Sequence, residues 1–335
     1  MKTADFDFPL PQHLIAARPL TERSGSRLLV LHRDGTKEHK HFSDIPAYLA
    51  AGDMLIMNNT KVFPARLAAF KPDGSMLEIL LIRHTGDNAW EVLSRGNYTG
   101  RLRVSDELQI ELHEGKTARL VCQGNLMEVI WKHGAMPLPP YIKRKPDESD
   151  KETYQTVYAR NEGSIAAPTA GLHFTDALLK EIRSKNIRVR ELTLHVGVGT
   201  FRPVRTEYVE KHRMDAEHFE MDKQLLSDID ETKASGKRII TVGTTTTRAI
   251  EGFASGRCVL TTLNGRLRGM TDIFIYPGYS FRVIDSLVTN FHLPGSTPLM
   301  LTSALCGRER LIKSYADAVT MGYRFLSYGD AMLIL

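Results

Sequence analysis

Arg66–Phe70 (RLAAF), Leu77–Ile82 (LEILLI), Ala89–Leu93 (AWEVL), Leu108–Leu112 (LQIEL), Ala118–Cys122 (ARLVC) and Met127–Trp131 (MEVIW) crowd one stretch of the chain. Each run is short and strand-like. Turn residues separate several of them: Asp73-Gly74, Gly86-Asp87-Asn88 and Gly124-Asn125. Short strands at regular spacing, with almost no helical period, predict a small barrel or sandwich. Residues 62–151 are therefore expected to form an all-β barrel domain. It interrupts an α/β domain made from residues 1–61 and 152–335.

The flanking sequence has the opposite texture. Leu28–Leu31 and Asp53–Met57 are apolar runs that predict strands. Beyond residue 152, strands and helices alternate. Arg188–Val196, Arg238–Val242, Met270–Tyr276 and Ser286–His292 predict strands. Thr175–Asn186, Thr244–Ala254, Pro298–Leu305 and Arg308–Met321 predict helices. A further helix is marked by Leu225, Leu226 and Ile229. Interleaved strands and helices predict a sheet with helices packed on it, an α/β class.

Composition excludes some classes. The chain has 335 residues, 42% hydrophobic and 25% charged, with a formal net charge of +5. A mild positive balance permits a polyanionic partner without requiring one. Three distant cysteines, Cys122, Cys258 and Cys306, give no C-x-x-C and no disulfide framework. The N-terminal residues carry acids and a proline where a signal peptide has its apolar run, and no stretch approaches a membrane span. The expectation is a reduced, soluble, cytoplasmic protein.

Five strand exits carry functional groups. The longest is Gly163–Thr175 (GSIAAPTAGLHFT), small and nearly uncharged until His173. Small residues let backbone approach a ligand, and one histidine at the end supplies acid or base chemistry. The same loop also reads as a buried connection with a satisfied histidine. His195–Pro203 (HVGVGTFRP) carries a histidine, two glycines and Arg202. It is not a dinucleotide fingerprint. Gly243–Arg248 (GTTTTR) places four threonines at a helix start, where free N–H groups suit a carboxylate. Tyr276-Pro277-Gly278-Tyr279 pairs two aromatics about a turn. Asn290–Pro298 (NFHLPGSTP) carries His292 and a helix cap. Asn58-Asn59-Thr60-Lys61 also ends a strand, and reads equally as a turn. Parallel strands would bring such exits to one edge, where open α/β sheets bind ligands.

Leu138–Pro146 (LPPYIKRKP) sets basic residues beside a tyrosine, a pairing that suits RNA. It reads also as a basic linker, diluted by Asp147, Glu148 and Asp150. His212, Asp215, Glu217 and His218 match no metal-ligand spacing and read as a solvated turn. Neither a P-loop nor a G-x-S-x-G elbow occurs.

Long strings of this sequence resemble one family. Gly163–Thr175, Leu192–Val204 (LTLHVGVGTFRPV), Gly243–Glu251 (GTTTTRAIE), Thr271–Tyr279 (TDIFIYPGY), Thr289–Pro294 (TNFHLP) and Arg324–Leu333 (RFLSYGDAML) resemble the S-adenosylmethionine:tRNA ribosyltransferase-isomerases of queuosine biosynthesis. Asn58–Leu67 (NNTKVFPARL) and Leu138–Arg144 match as well. The resemblance runs from about Pro11 to the C-terminus. Leu93–Asn97 departs from the expected Lys-Pro-rich stretch, and Gly295 and Pro298 stand where Lys and Leu are commoner.

The resemblance implies an α/β domain with an inserted β-barrel. It implies transfer and isomerisation of the ribosyl group of S-adenosylmethionine onto 7-aminomethyl-7-deazaguanine at the tRNA wobble position. The products are epoxyqueuosine-tRNA, adenine and methionine. S-adenosylmethionine is then a substrate, and no metal or other cofactor is expected. His173 is the first choice for base or acid, followed by His195 and His292. Pro168, Thr169, Gly171, Thr200, Thr244, Thr245, Arg248, Tyr276 and Tyr279 are expected around S-adenosylmethionine, with Thr244, Thr245 and Arg248 on its carboxylate and the tyrosines on its sulfonium. Arg27, Lys61, Arg66, Lys143, Arg144 and Arg202 are expected on tRNA. No obligate protein partner is implied, and a monomer is expected. The rival readings are a non-catalytic RNA-binding module and an ordinary methyltransferase.

Overall fold

Alternating burial along the β-rich stretch closes it into a barrel. In the computed structural model, which describes residues 1–335 apart from 198, 200–203, 257 and 264, the chain first forms β1 (Arg27–Leu31), β2 (Lys37–His41), β3 (Met54–Asn58) and β4 (Thr60–Val62). Six strands follow: β5 (Arg66–Phe70), β6 (Met76–Gly86), β7 (Ala89–Ser94), β8 (Gly100–Arg103), β9 (Leu108–His113) and β10 (Thr117–Cys122). They close in the order β10-β7-β6-β5-β8-β9, with β9 paired back onto β10. Leu77, Ile79 and Leu81, then Leu108, Ile110 and Leu112, then Ala118 and Leu120, point inward at every second position.

The run Met127–Trp131 is not the strand its β-branched content predicts. It lies in α1 (Leu126–His133). The Asn125 side chain caps it by accepting from the backbone N–H groups of Met127 (2.9 Å) and Glu128 (3.3 Å). A local cap outweighs strand propensity here.

After α2 (Asp150–Thr153), the chain returns through β11 (Asn161–Ser164), which pairs in parallel with β4. The strands entering and leaving the barrel region thus form a two-stranded neck. Trp131 closes it, donating to Glu162 Oε1 (2.7 Å) and lying under Lys61 (4.9 Å to the ring centre).

The remaining elements are α3 (Asp176–Ser184), β12 (Arg188–Leu194), β13 (Glu217–Asp222), α4 (Lys223–Ala234), β14 (Ile239–Val242), α5 (Thr244–Ala254), β15 (Cys258–Leu263), β16 (Arg266–Thr271), β17 (Ser286–Asn290), α6 (Thr297–Cys306), α7 (Arg308–Thr320) and β18 (Ala331–Ile334). Together with β1, β2 and β3, their strands build one ten-stranded sheet among the described residues, β15-β16-β13-β12-β3-β14-β17-β18-β1-β2. The fold is α/β with an all-β barrel, as expected. The expected strand Met270–Tyr276 is shorter: the ladder ends at Thr271, although Ile273 and Ile275 keep the alternating burial.

Four central strands, β12, β3, β14 and β17, run parallel. Their C-terminal ends, at Leu194, Asn58, Val242 and Asn290, therefore share one edge. Strand β18 is antiparallel to β17, and β1 is parallel to β18, so the starts of β1 and β18 meet the same edge. Apolar clusters cover both sheet faces, one around Leu55, Phe174 and Val288, the other around Ile56, Leu194 and Ile250. The functional groups of the loops are held over this edge.

Candidate active site

The edge where the parallel strands end holds a cavity of about 190 Å³. Its wall combines Ala166, Ala167, Pro168, Thr169 and Ala170 of the long small-residue loop with Gly243, Thr244 and Thr245 of the β14–α5 junction. Thr289–Pro294 closes a third side, and Tyr141, Val196, Ser296, Pro298, Leu326 and Ser327 complete it. No charged side chain lines it among the described residues. The polar groups are hydroxyls, one amide and one imidazole.

Two helices start at this cavity. Gly243 takes φ +88, a backbone conformation that disfavours side chains, and turns β14 straight into α5. Ser296 caps α6, accepting from Leu299 N at 3.4 Å. The start of α5 has no side-chain cap and offers free N–H groups, and the dipoles of both helices give the cavity a positive potential without a cation. Thr245 is buried, and its Oγ1 has no hydrogen-bond partner. A buried hydroxyl left unpaired beside a cavity is poised for a ligand.

The three histidines do not share one cavity. His292 lines the cavity described above. Its Nε2 meets Thr289 Oγ1 at 2.8 Å, and its backbone N–H donates to the Tyr315 hydroxyl (3.0 Å). Enclosure by protein lowers its imidazole to about 3.

His173 stands one layer behind. It is buried and stacked on Phe42, with ring centres 4.9 Å apart. Thr169 Oγ1 donates to Asn290 Oδ1 (2.9 Å), and Asn290 Nδ2 donates to His173 Nε2 (3.0 Å). His173 Nδ1 then donates to Ser26 Oγ (2.7 Å). Both ring nitrogens are spent in the neutral form. Burial, with the charges of Arg324 and Arg23, lowers this imidazole to about 3.

His195 faces elsewhere because side chains alternate along extended backbone. Val196 lines the first cavity, while His195 lines a different one with His218 and Arg268. Its Nδ1 meets Thr60 Oγ1 at 2.8 Å, and desolvation lowers its pKa. Gly163, at φ +147, passes so close that a Cβ there would lie 2.9 Å from the ring.

Of the residues expected around S-adenosylmethionine, Pro168, Thr169, Thr244 and Thr245 line the cavity. Gly171 packs behind it, where a Cβ would meet the Tyr158 hydroxyl at 2.0 Å. Arg248 is buried against Glu217 (2.5 Å) and the Ile273 carbonyl (3.1 Å), so its charge is already neutralised. Tyr276 packs on Phe274, and Tyr279 donates to Glu251 (2.9 Å); neither lines the cavity. Glu251 also accepts from the backbone N–H groups of Arg282, Val283 and Ile284, which explains why that tyrosine is held away. Thr200 and Arg202 lie outside the described residues.

The residues expected on tRNA divide likewise. Arg27 spends its guanidinium on Asp330 (3.0 Å), on the Met321 and Gly322 carbonyls, and over the Tyr323 ring. Arg144 makes a bidentate pair with the fully buried Asp150 (2.7 and 2.6 Å). Arg66 pairs with Glu78 (2.6 Å) and Lys61 with Glu162 (3.8 Å). Arg27 and Arg144 are thus anchors of the fold, not free cations. Lys143 is exposed.

Sequence reasoning placed Asn290, Thr289 and Ser327 in motifs without giving them a role, gave Ser296 as the helix cap it is, and missed Ser26. Asn290 had a signal: a polar residue closing an apolar strand. Ser26 had none, because its partner is 147 residues away. His212, Asp215, Glu217 and His218 do not form the solvated turn expected of them, because Glu217 and His218 begin β13 and the Glu217 carboxylate is buried against Arg248; among the described residues no group of three or more metal-ligating side chains occurs. Among those residues, too, no helix is long and apolar enough to cross a membrane.

Comparison with known proteins gives one answer. The model of the queuosine biosynthesis protein family matches residues 3–334. An S-adenosylmethionine:tRNA ribosyltransferase-isomerase of Thermodesulfovibrio yellowstonii is 51% identical, and one of Halothermothrix orenii 49%, each over 100% of both chains. The crystal structure of an S-adenosylmethionine tRNA ribosyltransferase from Thermotoga maritima superposes with a TM-score of 0.57 at 33% identity, over 99% of this chain and 100% of that one. The chain belongs to the queuosine biosynthesis protein family.

Proposed function

We propose that the protein is an S-adenosylmethionine:tRNA ribosyltransferase-isomerase. It moves and isomerises the ribosyl group of S-adenosylmethionine onto 7-aminomethyl-7-deazaguanine at the wobble position of tRNA. Epoxyqueuosine-tRNA, adenine and methionine are the products. The observation that carries this reading is the uncharged cavity on which two helix starts converge.

The chemistry fits such a cavity. The sulfonium of S-adenosylmethionine is itself the activated leaving group and acidifies neighbouring C–H bonds, so the reaction draws on no metal or prosthetic group. A cation in a wall without counter-charges stays reactive, and the ring of Tyr141 holds it by cation–π attraction. The methionine carboxylate lies at the start of α5, taken by free N–H groups and by Thr244 and Thr245. His292 is the acid or base group, because it reaches the cavity itself. His173 keeps Asn290, and through it Thr169, in register. Proton transfer by a positioned side chain is worth roughly 10²–10⁴-fold. The enzyme acts in the cytoplasm as a monomer.

The test is to incubate the protein with S-adenosylmethionine and tRNA carrying the aminomethyl base, then digest the tRNA and weigh its nucleosides. A ribosyl-derived mass gain on that one nucleoside is expected. An unmodified base, with the tRNA bound, would leave only an RNA-binding module; a methyl gain would make it a methyltransferase.

A further inference from the structure

A second cavity, also of about 190 Å³, lies under the segment Pro19–Arg23, behind the donor site above. Thr21, Arg23, Glu152, Thr153, His173 and Tyr328 wall it. Its volume is of the order of one bicyclic nucleobase. The partition between the two cavities is thin. Ser327 lines both, and His173 on one side is joined to Asn290 on the other by a 3.0 Å hydrogen bond.

Two residues of opposite charge line this cavity. The Arg23 guanidinium donates to the carbonyls of Gln155 (2.6 Å), Leu172 (3.3 Å) and Glu152 (3.2 Å), which leaves two of its five N–H groups unspent. The Glu152 carboxylate is near enough to act on the Arg23 charge, yet no ion pair closes between them. A guanine-type base offers adjacent N–H donors on its Watson–Crick edge and a carbonyl oxygen beside them. A carboxylate accepts from the donors, and a guanidinium donates to the oxygen. Adenine offers one amino donor beside a ring acceptor and fits this pair poorly.

The mouth also suits a polynucleotide. Leu20 and Thr21 are exposed on its rim. The basic loop is fastened beside it, Arg144 Nε to the Ala17 carbonyl (2.9 Å) and Arg18 to Asp147 (2.7 Å). Lys143 and Lys145 on that loop are exposed, where a phosphate backbone would pass.

We infer that this cavity is the acceptor chamber. It takes a guanine-type base turned out of its RNA strand, with Glu152 on the N–H edge and Arg23 on the carbonyl oxygen. The inference rests on the transferase reading above. It assigns the two reactants to adjoining chambers, with Ser327 at the passage.

The test compares wild type and Glu152→Ala on two tRNAs, one with the natural acceptor base and one whose acceptor base lacks the 2-amino group. Tritiated S-adenosylmethionine binding is measured alongside, and circular dichroism confirms folding. Wild type should lose about ten- to hundredfold in kcat/KM for the amino-less tRNA. Glu152→Ala should lose a similar factor on the natural tRNA and no longer distinguish the two, with S-adenosylmethionine affinity unchanged within about twofold. Equal discrimination by both proteins would overturn the assignment. So would a loss of S-adenosylmethionine affinity in Glu152→Ala, which would give the cavity to the donor. If wild type releases no adenine with the natural tRNA, the transferase reading itself fails, and the assignment with it.

Discussion

Asn290 Nδ2 lies 3.0 Å from His173 Nε2, and this contact joins a residue of the donor cavity to a residue of the second cavity. The chain Ser26–His173–Asn290–Thr169 makes His173 a positioning residue. His173→Ala should lower kcat by about 10²-fold, the scale of a displaced reacting group. His173→Gln, which keeps an acceptor for Asn290, should recover part of the loss. The pH profile of kcat/KM between pH 5 and 8 should keep its shape in both. Loss of one limb of that profile would make His173 the proton-transfer group instead.

Two desolvated imidazoles couple stability to pH. His173 and His292 are each lowered from 6.5 to about 3. Below pH 6.5 the unfolded chain binds protons that the folded chain refuses, so stability falls as the pH falls. The loss runs from about pH 6.5 down to about 3, at up to roughly 1.4 kcal/mol per pH unit for each histidine. Urea unfolding at pH 7.5, 6 and 5 should show this slope, to which the lowered His195, His212 and His218 add, and His292→Gln should remove the share of one histidine.

Thr245 gives stability and affinity opposite signs. Its unpaired, buried hydroxyl is a cost to the free protein. Thr245→Val should therefore leave thermal stability equal or higher. S-adenosylmethionine should bind about ten- to 150-fold more weakly, since a lost hydrogen bond to a charged group is worth roughly 1.5–3 kcal/mol. Calorimetric titration against a melting curve checks both halves.

Adjacent basic residues should also separate. Arg144→Ala leaves the Asp150 carboxylate buried without its partner and should cost roughly 3–5 kcal/mol of stability. Lys143→Ala should leave stability unchanged and reduce the salt slope of tRNA binding by about one. Unfolding curves and filter binding at several salt concentrations distinguish them.

The barrel and the parallel sheet were legible because burial follows local periodicity: Leu77, Ile79 and Leu81 alternate in sequence as they do in space. The helix over Met127–Trp131 was misread because its decisive residue, Asn125, lies outside the apolar run. The convergence of strand exits followed from parallel order, and Pro168, Thr169, Thr244, Thr245 and His292 did meet. Which way a side chain turns at an exit was not legible. His195 and Val196 are neighbours in sequence and line different cavities. Nor were the commitments of the arginines: Arg27 and Arg144 look free in sequence, and their partners Asp330 and Asp150 are set by tertiary packing.

The central claim is that the chain takes the ribosyl group, not the methyl group, from S-adenosylmethionine. Chromatography of the small-molecule products, after reaction with tRNA carrying 7-aminomethyl-7-deazaguanine, tests it most directly. One adenine and one methionine released per modified tRNA is the predicted result. S-adenosylhomocysteine in their place, or no adenine at all, would contradict it.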